Sequence, residues 1–500
     1  MTEREIKLSL PGRFTIPQLF IDGAPLTEKA LPDLDLRATY FDTSDLRLAR
    51  HGVTLRYRTG EAGGPTWTLK LPVASSGPAT LARDELQFDG PRREPPAEAR
   101  ALVTAYARRE PLVAVATLRT KRRRWHFLMG ETEMVELAND EVSVVEGRRI
   151  VSRFRELEVE ALDDDAPLES LAEQLRHAGA TDAEPIPKVV RALGSRATAT
   201  PDISAVALPV EPTIADALAD SISDALLRLL RNDPLTRMGD VEGLHQLRVS
   251  LRRLRSDLRT LEEMVEPTWW ARVEPDLRTV ADALGDAHDL DVLVERLANG
   301  EEAPSAAALA PLFATLERRR VSAKEAVTRI LNQPSYTALL DELVAAASRP
   351  PVAPPAEEPA AVALPPLVLN AWDRLERRAE DLTPASPEAD YHRTRIAAKR
   401  ARYASELAVR VLSGTQAAGA KRLAARLADV QDQLGTLQDA AVAEEAMRAT
   451  LVGRRGNSEY AFEIGRLVER QRNLATDARR AFAETWADLR RKRWRKWATT

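Results

Sequence analysis

The chain has 500 residues, with 72 basic against 76 acidic side chains and no cysteine. That length predicts roughly two to four domains with ample core. The near-even charge argues against a generic nucleic-acid binder, and the absence of thiols excludes disulfides, thiolate metal sites and a cysteine nucleophile. No apolar run approaches the ~18 residues of a membrane-spanning helix, and Glu3 stands too near the start for a cleaved leader to precede it, so a cytoplasmic protein is expected.

The opening Met1-Thr2-Glu3-Arg4-Glu5-Ile6-Lys7 alternates. Residues two apart in a strand share a face, so Glu3, Glu5 and Lys7 would line one wall. Paired carboxylates suit a hard divalent cation, and a lysine suits phosphate oxygens. Short alternating runs follow at 54–58, 66–70, 86–88 and 141–145, divided by turn-forming segments such as Gly60-Glu61-Ala62-Gly63-Gly64-Pro65. This is the pattern of an antiparallel β meander, whereas about 94–110 and 167–179 read as helices. Same-face charges recur: Arg56 with Arg58, Arg83 with Glu85, Arg122 with Arg124, and Glu156 with Glu158 and Glu160, while Lys70 ends a strand-like run. A closed barrel would gather those faces around one lumen, with carboxylates for a metal and guanidinium forks for phosphate oxygens. The opposite reading leaves the charges in water and packs the apolar faces as a sandwich.

Proline-containing residues 201–213 read as a linker between a domain at 1–200 and a second at 214–500. From about 214 the apolar spacing becomes helical. Pro350–Pro366 holds seven prolines and reads as a non-helical connector between two repeats, 214–349 and 367–500. His245-Gln246-Leu247-Arg248-Val249-Ser250-Leu251-Arg252-Arg253-Leu254-Arg255 and His392-Arg393-Thr394-Arg395-Ile396-Ala397-Ala398-Lys399-Arg400-Ala401-Arg402 share the pattern H-x-x-R-x-x-x-[R/K]-R-x-R. Each is followed by a Leu-Gly element, Leu284-Gly285-Asp286-Ala287-His288-Asp289 and Leu434-Gly435-Thr436-Leu437-Gln438-Asp439.

On a helix, His245, Arg248, Arg252, Arg255 and Arg259 form one stripe beside Leu244, Leu247, Leu251, Leu254 and Leu258. His392, Arg395, Lys399 and Arg402 repeat the basic row. Aligned like charges repel, so either neighbouring acids neutralise them or the row is an anion groove; its duplication favours the groove. Neither histidine has a second metal ligand at the spacing of a helical pair. The basic, aromatic tail Arg490–Trp497 either extends the anion path or caps the bundle.

The first set of motifs resembles the CYTH family, the triphosphate tunnel metalloenzymes, over residues 1 to about 195. The resemblance implies a closed eight-stranded tunnel that hydrolyses or cyclises triphosphates with Mg²⁺ or Mn²⁺. It implies Glu3, Glu5, Lys7, Arg56, Arg58 and Lys70 as catalytic residues and Arg83, Arg122, Arg124 and Lys188 as further tunnel bases. The implied metal acids are Glu3, Glu5, Asp140, Glu156, Glu158 and Glu160. Tyr40-Phe41-Asp42-Thr43 matches the family's aromatic-Asp-Thr segment and Glu136 its further acid, while Asn139-Asp140-Glu141 lacks the usual glycine. The helical part resembles the CHAD domain, a conserved-histidine α-helical module that binds polyphosphate. This implies His245, Arg248, Arg252, Arg253 and Arg255, with His392, Arg395, Lys399, Arg400 and Arg402, as binding residues; the lysine at 399 keeps charge but loses bidentate geometry.

The expected fold is thus α+β: an antiparallel eight-stranded β tunnel followed by an all-α duplicated bundle. The expected function is a metal-dependent inorganic triphosphatase acting on tripolyphosphate, joined to a domain that binds long-chain polyphosphate, in the cytoplasm at polyphosphate granules. The alternatives are an organic triphosphate such as thiamine triphosphate or ATP as substrate, or a non-catalytic polyphosphate-binding or targeting protein. Nucleic-acid binding by the helical part is disfavoured by the charge balance.

Overall fold

The computed structural model describes residues 2–11, 13–61, 63–72, 81–183, 186–298, 306–354, 356–451 and 457–499. It divides into two compact units, Met1–Asp202 and Ile203–Thr500.

In the first unit, alternating polar and apolar residues form β1 (Thr2–Ser9), a small hairpin of β2 (Phe20–Ile21) and β3 (Ala24–Pro25), then β4 (Thr27–Asp42), β5 (Thr54–Thr59), β6 (Thr66–Pro72), β7 (Leu81–Phe88), β8 (Val113–Met129), β9 (Thr132–Glu146), β10 (Arg149–Ala161) and β11 (Thr181–Asp182). The sheet order is β10-β9-β8-β4-β5-β6-β7-β1-β11, and β10 also pairs with β1. That last pairing closes eight long antiparallel strands into a barrel, with the short β11 appended beside β1 where its pairing with β7 has ended. Register shifts in the β4–β8 ribbon, between Leu31 and Leu34 and between Tyr40 and Phe41, supply the local bends that curling a long ribbon requires. The helices α1 (Arg47–Arg50), α2 (Ala97–Leu102), α3 (Thr104–Ala107) and α4 (Leu168–His177) lie between strands, and α5 (Lys188–Leu193) follows the last one. The single helix expected over 94–110 is two short ones, because Val103 leaves helical geometry with φ −105° and ψ 7°.

The second unit is helical: α6 (Ile214–Arg237), α7 (Val241–Thr260), α8 (Pro267–Ala298), α9 (Ala306–Leu331), α10 (Pro334–Ser348), α11 (Ala360–Glu380), α12 (Glu388–Val411), α13 (Gly414–Leu451) and α14 (Ser458–Leu489). A capping box between Thr213 and Asp216 starts α6, and Asp240 caps α7. The pairings α6–α7, α7–α8 and α8–α9 recur as α11–α12, α12–α13 and α13–α14, and α7 packs on α12. One apolar cluster draws Leu293, Leu309 and Leu316 from the first half and Ala443, Met447 and Ile464 from the second, so the halves share a core.

The proline-rich connector is corrected. Its last part, from Ala360, is already α11, with Pro365 and Pro366 inside the helix. Pro365 withdraws the amide that would serve the Ala361 carbonyl, and Gln416 Nε2 donates to that oxygen instead, at 3.2 Å. Burial of Ala363, Leu364, Pro365 and Val368 outweighs the prolines' poor propensity. The tail caps the bundle: Trp497 is buried against Gly419, where a Cβ would overlap its ring, and the Arg495 guanidinium lies 4.2 Å over Trp372. Among the described residues no helix is long and apolar enough to cross a membrane.

Candidate active site and anion groove

Strand alternation splits β1 and β10 into two buried faces. Ile6, Leu8, Leu157 and Val159 join Leu171 and Leu175 of α4 in an outer core. Glu5, Lys7, Glu156 and Glu158 therefore face the lumen, and none is more than 7 % exposed. The charges are inside, which removes the sandwich reading. Register then chooses partners: Lys7 lies opposite Glu158, Glu156 opposite Asp140, and Asp140 opposite Arg122. A second cluster, Ala38, Tyr40, Leu118, Val142 and Val144 around Val189 and Val190, seats α5 so that Lys188 reaches the same acids.

The result is a lattice of alternating charge. Lys7 Nζ lies 3.0 Å from Glu158, 3.7 Å from Glu156 and 3.8 Å from Glu5. Arg122 forks onto Asp140 at 2.8 and 2.7 Å and reaches Glu158 at 2.6 Å. Lys188 Nζ is 2.9 Å from both Asp140 and Glu156 and also contacts Glu158. Burial opposes charge on Lys7 and Lys188, but the surrounding carboxylates outweigh it and hold both ammonium groups above their ordinary range. Burial likewise opposes the Glu158 carboxylate, and Lys188, Lys7 and Arg122 keep it well below the usual range.

Asp140, Glu156 and Glu158 offer ligand oxygens within 4.8 Å of one another, the one such acidic or histidine group among the described residues. All three are buried, and Glu156 Oε1, although 2.9 Å from Lys188 Nζ, receives no aligned hydrogen bond. Hard oxygen donors of this kind fit Mg²⁺ or Mn²⁺. Glu5 is not in that trio; Arg83 Nη2 holds it at 2.8 Å. Glu160 is half-buried, opposite Glu5 and Glu136. The backbone of Glu3 pairs with Arg83, but its side chain lies outside the described residues. Asp42 serves the fold rather than the lumen. Its carboxylate accepts from the amides of Thr43, Leu48 and Ala49 and so shapes α1.

Basic residues occupy the remaining wall. Arg56 donates to the Tyr40 hydroxyl at 3.4 Å, and Arg58 meets Glu61 at 2.5 Å. Burial and then Arg56 lower Arg58 to about 10. Lys70 Nζ is 2.8 Å from Glu85; burial would raise that carboxyl, but Lys70 and Arg56 bring it to about 2. Arg124 lies 3.6 Å from Glu136. Buried Nε atoms of Arg58, Arg83 and Arg124 have no hydrogen-bond acceptor.

In the helical unit the two motifs meet through α7 and α12. His245 Nδ1 is 3.3 Å from His288 Nε2, and His392 Nδ1 is 2.6 Å from Gln438 Oε1. Arg248 pairs with Asp289 at 2.8 Å, and Arg395 feels Asp439. His288-Asp289 and Gln438-Asp439 hold matching places in the two Leu-Gly elements. Their role as partners was not read from the sequence, although the duplication itself was the signal. Between them Arg248, Arg252, Arg395 and Lys399 converge. Burial, then Arg395, Arg252 and Arg248, bring Lys399 to about 7. Buried Nε atoms of Arg252 and Arg395 lack an acceptor. Adjacent residues on a helix face different ways, so the rest of the motif lies elsewhere. Glu406 takes both Arg253 and Arg402 at 2.8 Å, Glu274 takes Arg255 at 3.1 Å, and Arg400 lines a separate cavity.

A family model described as a CYTH domain matches residues 1–190, and one described as a CHAD domain matches 220–448. The Mycobacterium tuberculosis protein Rv2226 is 30 % identical over 486 residues, 90 % of this chain and 88 % of its own. Among solved structures, PptA from Streptomyces chartreusis is 26 % identical, covering 55 % of this chain and 99 % of its own, with a TM-score of 0.47. The CHAD domain of the plant Ricinus communis is 27 % identical, covering 57 % and 96 %, with a TM-score of 0.46.

Proposed function

The chain belongs to the proteins that join a CYTH domain to a CHAD domain, and from that premise we propose that it is a metal-dependent triphosphatase hydrolysing inorganic tripolyphosphate, with a helical unit that binds longer polyphosphate. One observation carries the catalytic reading: a closed barrel buries Asp140, Glu156 and Glu158 beside Lys7, Arg122 and Lys188, with Arg56, Arg58 and Lys70 on the remaining wall. Asp140, Glu156 and Glu158 would hold the cation, which when bound supplies Lewis acidity toward phosphoryl oxygens. Arg56 and Arg58 grip the non-bridging oxygens as forks and orient the chain along the lumen. Lys7 and Lys188, held cationic by their neighbours, neutralise charge that builds on the phosphates as water attacks the terminal phosphorus. The barrel wall excludes bulk water, which strengthens each of these contacts.

For the helical unit, the convergence of Arg248, Arg252, Arg395 and Lys399, with two buried guanidinium nitrogens lacking acceptors, supports a groove for a phosphate polymer. The cytoplasm, at polyphosphate granules, is the location this reading implies. Phosphate release from tripolyphosphate, thiamine triphosphate and ATP with Mg²⁺ or Mn²⁺ tests the proposal. Fastest turnover of tripolyphosphate is expected. Faster release from an organic triphosphate overturns the substrate, and binding of all three without release makes the tunnel a binding module.

A further inference from the structure

The duplication provides a comparison within the chain. Aligning the motifs at His245 and His392 sets Arg253 against Arg400 and Arg259 against Glu406. On one side of the α7–α12 contact, Arg253 Nη2 donates to Glu406 Oε2 at 2.8 Å. The duplicate of that salt bridge is Arg400 facing Arg259, a cation where its counterpart has a carboxylate. Burial, then Arg259, Arg374 and Arg255, push the Arg400 guanidinium below its ordinary value, and Glu262 offsets only part of this.

The mismatch opens onto a cavity of about 1230 Å³ between the end of α7, the start of α8, α11 and α12. Six arginines line it, Arg259, Arg374, Arg377, Arg378, Arg393 and Arg400, against the four acids Glu262, Glu263, Asp381 and Asp390. Arg393 is taken up by Asp390. Arg377 gives its Nε–H to the Asp373 carbonyl. Arg259 shares Glu274, which is not part of the lining, with Arg255. Arg374, Arg378 and Arg400 have no ion pair among the described residues. Trp270 and Leu367 add an apolar wall. The cavity is distinct from the groove: Lys399 belongs to the groove, and its neighbour Arg400 to the cavity.

We propose that this cavity is a second anion site, in which a phosphate-bearing anion between Arg259, Arg374 and Arg400 takes the place that Glu406 holds in the duplicate half. Guanidinium forks match phosphate oxygens in two-point contact. The volume exceeds what one phosphoryl group needs and suits an oligophosphate. The site does not depend on the tunnel reading or on the groove.

Tungstate, a phosphate mimic visible by anomalous scattering, tests it in crystals of the full chain. Density is expected between Arg259, Arg374 and Arg400. Arg259→Glu should recreate the missing salt bridge with Arg400, remove that density, leave any density at Arg248 and Arg395, and raise the melting temperature in phosphate-free buffer. Calorimetry should then show the variant binding one fewer tripolyphosphate per chain; a loss confined to long-chain polyphosphate would assign the site to the polymer instead. Should Arg259→Glu fail to fold, Arg400→Gln serves by removing one cation. A cavity without density while the groove is filled, or a variant that binds both tripolyphosphate and long-chain polyphosphate with unchanged stoichiometry, overturns the inference and leaves the groove reading standing. Density in the cavity alone upholds it and counts against the groove.

Discussion

Glu158 answers three cations at once, Lys7, Arg122 and Lys188. Glu158→Gln should therefore cut metal-dependent phosphate release by at least the ~10–100-fold that losing even a supporting partner of a metal site costs. Asp140 and Glu156 still hold the cations, so the far-ultraviolet circular dichroism should survive. Release at the wild-type rate would remove Glu158 from the site. The same lattice predicts the response to chelation. With Lys7 and Lys188 already neutralising the acids, EDTA should stop turnover yet shift the melting temperature little; collapse of the fold would mean the acids need the metal for stability. Lys399 gives a pH prediction. Its pKa falls from 10.5 to about 7, so the folded state disfavours its charge. The sign follows from linkage: the destabilisation is full below pH 7 and fades as pH rises from 7 toward 10.5. A bound polyanion would restore the proton, so polyphosphate affinity should fall as pH climbs through 7 and beyond. Lys399→Gln should flatten both the stability rise and the affinity fall between pH 6 and 9; profiles parallel to wild type would show that another group titrates.

At the scale of elements, the fold was legible wherever the side-chain period maps directly onto a face. Glu5 and Lys7 alternate with Ile6 and Leu8, and Glu156 and Glu158 with Leu157 and Val159, so the two faces of β1 and β10 could be read before any pairing was known. What could not be read was which charge meets which. That depends on register between strands distant in sequence, such as Lys7 opposite Glu158 and Asp140 opposite Arg122, and it is why Glu5 sits with Arg83 rather than in the acidic trio. In α11 local propensity misleads, because the cost of Pro365 is met by a side chain, Gln416, in another helix. In the tail, composition suggested anion binding as readily as packing; Gly419 decides, since only a residue without Cβ admits Trp497 against α13. Gly419→Val should displace that indole and destabilise the protein by about 1–3 kcal/mol, the usual range for overpacking. Urea denaturation followed by tryptophan fluorescence measures this, and an unchanged midpoint would show that the tail packs elsewhere.

At the scale of the whole molecule, the two compact units carry different chemistry, and the division predicts that they can be separated. Residues 203–500 expressed alone should fold, because the unit contains its own apolar core and begins α6 with its own capping box. The piece should release no phosphate from tripolyphosphate, since the acidic trio Asp140, Glu156 and Glu158 lies in the first unit, yet it should retain long-chain polyphosphate. Replacing Arg248, Arg252, Arg395 and Lys399 together by alanine should remove most of that binding. Helicity should be untouched, because Leu244, Leu247, Leu251 and Leu254, which anchor α7, stay buried. The attraction rests on counterion release and screened charge, so affinity should fall steeply with salt, and the quadruple variant should show a shallower salt slope than the parent. A salt series with polyphosphate, and with duplex DNA at matched phosphate concentration, separates the outcomes. Tighter binding of DNA would make the groove a nucleic-acid site, and undiminished polyphosphate binding by a fully helical quadruple variant would move the binding surface away from the α7–α12 contact.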